Sequence, residues 1–260
     1  MSWWGKLIGG TVGFTMGGPL GALLGGFLGH KFVDKSSFIG KFKQIEYTQA
    51  AFFTATFTVM GHIAKADGHV SKDEINMARQ IMAHMNLNSE QKKAAIALFN
   101  QGKAADFDLD AVMQQFKQVA RRKTNLMQMF IEIQLHAIYA DGKKAPVEHK
   151  ILVHLANILG FSRHQLNHLE AMVQSNLNAM SGDSRLSIEE QLTEAYQLLD
   201  ISPSASDNEV KKAYRRMMSQ HHPDKLVSKG LPEEMMKMAN EKTQQIKKAY
   251  DLIKKIRSEN

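Results

Sequence analysis

AYQLLDISPSASDNEVKKAYRRMMSQHHPDK, Ala195 to Lys225, decides how this chain is read. Val210, Ala213, Tyr214 and Met217 recur at helical spacing, and Lys211, Lys212, Arg215 and Arg216 fall on the opposite face. Ser187 with Glu190 and Ser206 with Glu209 each set a hydroxyl three residues ahead of a carboxylate, the capping-box signature of a helix start. Pro232 suits the first turn of another helix. Three helices are therefore expected, near 188–199, 207–220 and 233–255, with HHPDK in the loop between the second and third.

A proline turn and an adventitious metal site formed by His221, His222 and Asp224 are the two plainest readings of that loop. Pro223 stiffens the backbone between the would-be ligands, and no outside ligand is indicated, so the metal reading is weak. Between Ile188 and Asn260 thirteen Lys and Arg stand against twelve Asp and Glu, a net of +1. The positive charge is thus gathered on one helix of a near-neutral segment. Such patterning suits docking to an acidic protein surface better than blanket attraction to nucleic acid, and no nucleic-acid partner is expected.

The rest of the chain points to the same fold class. Five prolines, sixteen methionines and many Ala, Leu, Gln and Lys residues in 260 favour helices, because long unbranched side chains lose little rotamer freedom there. The fold is expected to be all-α. There is no cysteine, which excludes disulfide staples and thiolate metal sites. The formal charge of +7 admits nucleic acid, anionic lipid or an acidic protein as partner until its location is known.

From Leu7 to Gly29 no residue is charged, and as a helix this run spans about 34 Å, enough for a hydrocarbon core. The run is long for a secretory signal and no small-x-small cleavage site follows it, so an uncleaved transmembrane anchor is expected. Gly5, Gly9, Gly13, Gly17, Gly21, Gly25 and Gly29 keep a strict period of four, a face along which two backbones can approach closely in lipid. Dimerisation through Gly9, Gly13, Gly17, Gly21 and Gly25 is the expectation. Lys6 precedes the run while Lys31, Lys35, Lys41 and Lys43 follow it, which puts residues 1–6 in the periplasm, the helix 7–29 in the membrane and the domains after it in the cytoplasm.

After a basic juxtamembrane stretch, 30–49, the middle of the chain repeats itself. Ala66-Asp67-Gly68 followed by Glu74 returns as Ala140-Asp141-Gly142 followed by Glu148, and Met77, Ile81 and Met85 return as Ile151, Leu155 and Leu159. Both sets keep one offset of 74 residues, which marks an internal duplication. Ser71 with Glu74, Pro146, Ser89, and Ser162 with Gln165 mark helix starts, and about seven helices are expected between 44 and 176. Asp67, Glu74, Asp141 and Glu148 are weak candidates for a divalent-metal site, since the loops lack the alternating ligands of an EF-hand and capping explains the same residues. His164 and His168, four apart, lack the Glu of a zinc-hydrolase motif and are expected at the surface. A small, polar linker covers 179–190.

The duplicated segment, 50–178, resembles the TerB-like tellurite-resistance family, which implies an all-helical domain. Residues 191–260 resemble the J-domains of DnaJ-type co-chaperones: HPD sits between a basic helix and the Ala-Tyr-bearing NEKTQQIKKAYDLI in that family's order. The resemblance assigns His222, Pro223 and Asp224 to the motif that stimulates the chaperone DnaK, and Lys211, Lys212, Arg215 and Arg216 to the docking face. Tyr196, Leu199, Val210, Tyr214, Ile246 and Tyr250 are implied to be core. His221 departs from the pattern, standing where the family usually has tyrosine. Anchor, TerB-like middle and J-domain in this order resemble the bacterial membrane-anchored DnaJ-like co-chaperones. That family implies an inner-membrane, single-pass homodimer that stimulates ATP hydrolysis by DnaK and acts in envelope or capsule signalling. No glycine-rich nucleotide loop is present, so no cofactor and no enzyme activity are expected, and the ATP belongs to the partner. The rival expectation is a metal-binding or lipid-handling protein acting through the TerB-like domain, with the J-domain as a recruitment handle.

Overall fold

The computed structural model describes residues 20, 40–66, 68, 72–85, 87–139, 145–180, 187–232 and 235–259. Every regular element among them is a helix, as the composition predicts. Seven make up the middle of the chain: α1 (Gly40–Ala64), α2 (Lys72–His84), α3 (Ser89–Gly102), α4 (Leu109–Val119), α5 (Thr124–Ile138), α6 (Pro146–Leu159) and α7 (Arg163–Met180). Four follow: α8 (Ile188–Leu199), α9 (Asp207–His221), α10 (Pro223–Ser228) and α11 (Met236–Glu259).

The duplication is visible in the helix boundaries. α1 ends at 64 and α5 at 138, α2 starts at 72 and α6 at 146, α3 starts at 89 and α7 at 163. Each pair differs by 74, so the repeat is a three-helix unit and extends beyond the Ala-Asp-Gly turn that reveals it in sequence. Asn88 and Gln91 close α3 reciprocally, each backbone N–H donating to the other's side-chain oxygen at 2.9 Å. Ser162 and Gln165 do the same for α7.

α1 and α3 cross at backbone contact. A Cβ placed on Gly61 would stand 2.0 Å from the Phe99 carbonyl oxygen, and one on Gly102 only 1.8 Å from that of Thr58. Glycine is required at both places because the neighbour is main chain, which cannot turn aside. Behind this crossing Phe52, Phe116 and Phe130 pack with ring centroids 5.0–6.4 Å apart. α5 runs through the centre and buries ten of its residues, among them the polar Glu132 and Gln134.

α8, α9 and α11 enclose a second, smaller core of Tyr196, Leu199, Val210, Met217, Ile246 and Ile253 among others. Tyr214 and Tyr250, expected in this core, are half-buried and stack on its edge with centroids 4.2 Å apart. Arg257 ties the far end of α11 back, donating to Tyr196 Oη at 2.8 Å, to Asp207 at 2.7 Å and to the Pro203 carbonyl at 3.1 Å. Leu226, Leu231, Met235 and Ala239 do not join the small core. They pack into the large one, with the middle helices.

The expected anchor, with Gly9, Gly13, Gly17, Gly21 and Gly25, lies outside the described residues apart from Leu20. Leu20 is buried in the large core and its backbone N–H donates to Gln115 Oε1 at 2.6 Å. No described helix is long and apolar enough to cross a membrane. Half of the expected linker, residues 181–186, is also outside the described set, and the rest belongs to the end of α7 and the capped start of α8.

Candidate functional site

α9 begins on a reciprocal cap: Ser206 N donates to Glu209 Oε2 at 2.7 Å, and Glu209 N donates to Ser206 Oγ at 3.4 Å. The hydrogen bonds from Ser206 hold the Glu209 carboxyl below the usual carboxylate range. Val210, Ala213 and Met217 are buried, which fixes the helix rotation and leaves Lys211, Lys212, Arg215 and Arg216 outward and exposed. Three of these cations extend from the basic face. Arg216 turns back instead, donating to the carbonyls of Leu199 at 3.1 Å and Asp200 at 3.3 Å and to the Asp200 carboxylate at 3.3 Å. It locks the left-handed C-terminus of α8, where Asp200 has φ +56°, as well as contributing charge.

The HHPDK stretch is not a plain loop. α9 runs to His221, and Pro223 opens the six-residue α10, with Pro at N1, where its missing N–H costs nothing. His222 is the N-cap, its Nδ1 accepting from Asp224 N at 3.3 Å. Short periodicity hides such a helix in sequence. Pro223 is buried, whereas the side chains of His222 and Asp224 are 47% and 83% exposed. Lys225 Nζ donates to Ser219 Oγ at 2.6 Å across the elbow. The result is a rigid corner that presents an imidazole and a carboxylate beside a basic helix face.

The underside of the corner rests on the middle domain. Asn125 Nδ2 of α5 donates to the Gln220 carbonyl at 2.7 Å, and Gln128 Nε2 lies 3.4 Å from His221 Nε2. Gln128 also donates to Glu132 Oε1 at 3.0 Å, and Glu132 pairs with Lys242 of α11 at 3.6 Å, both side chains under 9% exposed. On the other side Gln49 Nε2 donates to the Leu231 carbonyl at 3.3 Å. Gly230, at φ +103°, presses on Thr48 so closely that a Cβ would meet Thr48 Cγ2 at 2.5 Å.

Burial pushes the His221 imidazole below its ordinary value, against the pull of Glu132, so the ring is neutral and its Nε2 can accept from the Gln128 amide. Burial would raise the Glu132 carboxyl, but Lys242, His221, the Gln128 hydrogen bond and His136 together hold it below the usual range. His168, expected at the surface, is half-buried and is likewise depressed by burial.

Asp67 and Asp141 lie outside the described residues, and nothing is described of the Glu74 side chain. Glu148 is buried and accepts from Ala145 N at 3.3 Å, the capping role that competes with metal ligation. Among the described residues no group of three or more His, Cys, Asp or Glu could hold a metal ion.

Asn125, Gln128, Glu132 and Lys242 are absent from the residues that sequence reasoning singles out. Two signals point at them: a lone carboxylate inside the apolar run MFIEIQL (Met129–Leu135), and a histidine at 221 where the J-domain pattern has tyrosine. Gln128 links the two, donating to Glu132 at 3.0 Å and lying 3.4 Å from the His221 ring.

Comparison with known proteins covers the whole length. The family model for the tellurite resistance protein TerB matches residues 53–171, that for the co-chaperone DjlA transmembrane domain matches 1–46, and that for the DnaJ domain matches 194–258. The chain is 42% identical to the co-chaperone protein DjlA of Coxiella burnetii over 99% of both chains. It is 45% identical to that of Shewanella oneidensis over 98% of both, and 37% identical to that of Legionella pneumophila over 97% of this chain and 95% of the other. No solved structure gives a significant match.

Proposed function

Since the chain belongs to the DjlA co-chaperone family, we propose that it is a membrane-anchored co-chaperone whose J-domain binds the cytoplasmic chaperone DnaK and accelerates its ATP hydrolysis. The observation that carries this reading is the exposed pairing of the His222–Asp224 corner with the cations of α9. The cations steer an acidic partner surface toward the helix and set its orientation. The corner then binds the hydrolysing conformation of the partner better than the resting one, and differential affinity shifts the partner's population. In this reading the hydrolysis is carried out by the partner, and the protein acts as a co-chaperone and not as an enzyme.

The match to the DjlA transmembrane domain over residues 1–46 supports a membrane anchor. The glycine period of four supports its dimerisation, and Lys31, Lys35, Lys41 and Lys43 support a cytoplasmic J-domain.

The test is single-turnover ATP hydrolysis by DnaK with the full chain in detergent micelles. Wild type accelerates hydrolysis and Asp224→Asn does not, while thermal stability stays within about 0.5 kcal/mol because the change is near-isosteric and exposed. The reading fails where wild type gives no acceleration, or where Asp224→Asn accelerates equally.

A further inference from the structure

The middle domain holds the backbone on both sides of the HPD corner. Asn125 takes the carbonyl of Gln220, two residues before His222, and Gln128 meets His221, one residue before it. Leu226, two residues after Asp224, is buried with the middle helices, and Gly230 and Leu231 rest on Thr48 and Gln49. Glu132 and Lys242, both nearly inaccessible, pair behind this contact and join α5 to α11, so the corner is fixed to α5 by one helix before it and one after it.

This geometry supports one role over its opposite. With every one of these contacts made, Asp224 and His222 are still exposed, and so are Lys211, Lys212 and Arg215. The contact therefore presents the motif. It does not cover it. An ion pair withdrawn this far from water is retained at a desolvation cost, so it specifies an arrangement more than it stabilises one.

We propose that Asn125, Gln128 and Glu132 on α5, with Lys242 on α11, are positioning residues for partner stimulation: acting through Gln220 and His221, they fix the angle between the HPD corner and the basic face of α9. The inference rests on the co-chaperone reading above. It makes the TerB-like domain a working part of the stimulating surface, and anything that shifts α5 shifts the corner.

Two α5 variants of the full chain test it, Asn125→Ala with Gln128→Ala, and Glu132→Gln, both leaving the J-domain sequence intact. Half-saturating DnaK stays unchanged, since the basic face is untouched, while the maximal hydrolysis rate falls on the order of tenfold, as expected for a misplaced reacting geometry. A merely structural role would not split the two parameters this way. The chain has no cysteine, so Asn125→Cys with Gln220→Cys can be bridged by a short bis-maleimide, and the bridged protein keeps the wild-type maximal rate.

Hydrogen exchange without DnaK supplies an independent reading: residues 219–231 lose protection in both α5 variants. Wild-type maximal rates in those variants, a rate that rises on release, loss of rate on bridging, or unchanged protection of 219–231 each overturn the inference. Failure of wild type itself to stimulate overturns the DnaK reading instead, and exchange at 219–231 then decides the positioning contact alone.

Discussion

Gly61→Ala and Gly102→Ala are the substitutions whose outcome depends most directly on the geometry of the fold. In the interior of an ordinary helix Gly61→Ala would stabilise by about 1 kcal/mol, because alanine has the better helix propensity, while Gly102, the last residue of α3, would gain less. Here the new Cβ would lie 2.0 Å from the Phe99 oxygen or 1.8 Å from the Thr58 oxygen, where ordinary contact begins at 3.4 Å. The shortfalls are about 1.4 and 1.6 Å, and α1 and α3 must separate by roughly that much because both neighbours are helix backbone. Overpacking of this kind costs about 1–3 kcal/mol, and contact with rigid main chain puts it at the upper end. The net is a destabilisation of about 2 kcal/mol, or a fall in Tm on the order of 5–10 °C for a domain of this size. Thermal unfolding followed by far-UV circular dichroism reads it directly. A rise or no change in Tm for either variant refutes the backbone-contact crossing.

Lys211→Glu with Arg215→Glu raises the half-saturating DnaK concentration, about tenfold at low salt, and the gap from wild type narrows as the Debye length shrinks to about 3 Å at 1 M salt; a salt-independent defect contradicts electrostatic steering. Acid loosens the corner: the folded pKa of His221 is depressed, so the unfolded state takes the proton first and stability is lost as pH falls below the ordinary 6.5. Glu132, also depressed, adds a second loss at lower pH. The groups facing His221 are Gln128 and Glu132 of α5 and Lys242 of α11, and the check is the thermal midpoint between pH 7 and 5.5, whose slope flattens in His221→Tyr. Replacing Gly13, Gly17 and Gly21 by Leu preserves membrane insertion and weakens crosslinking between full-length chains, and unchanged crosslinking removes the glycine face as an interface.

The helices were legible because their signals are local. Ser187 with Glu190, Ser206 with Glu209 and Ser162 with Gln165 each mark a start that the structure realises as a reciprocal cap. The repeat was legible at its turn, and its third helix pair shows only once α3 and α7 are seen to begin at matching positions. What sequence could not supply were contacts between distant residues. α10 is too short to impose a period. Nothing near His221 announces that Gln128 lies beside it, and nothing near Glu132 names Lys242 as its partner. Arg216 reads as one more cation of a basic face, and only the left-handed end of α8 reveals its second role.

The boundary that the linker draws in sequence does not run through the interior. Leu226, Leu231, Met235 and Ala239 complete the core of the middle helices, although they are separated from those helices by the expected linker and are made after them by the ribosome. The middle domain therefore emerges during synthesis with an unfilled apolar site, and its final consolidation waits for the C-terminal segment. A J-domain cut free at residue 188 would carry those four side chains into water, and one grafted from another co-chaperone would meet a socket shaped for these four. Interchangeable parts need closed surfaces, and this pair shares one.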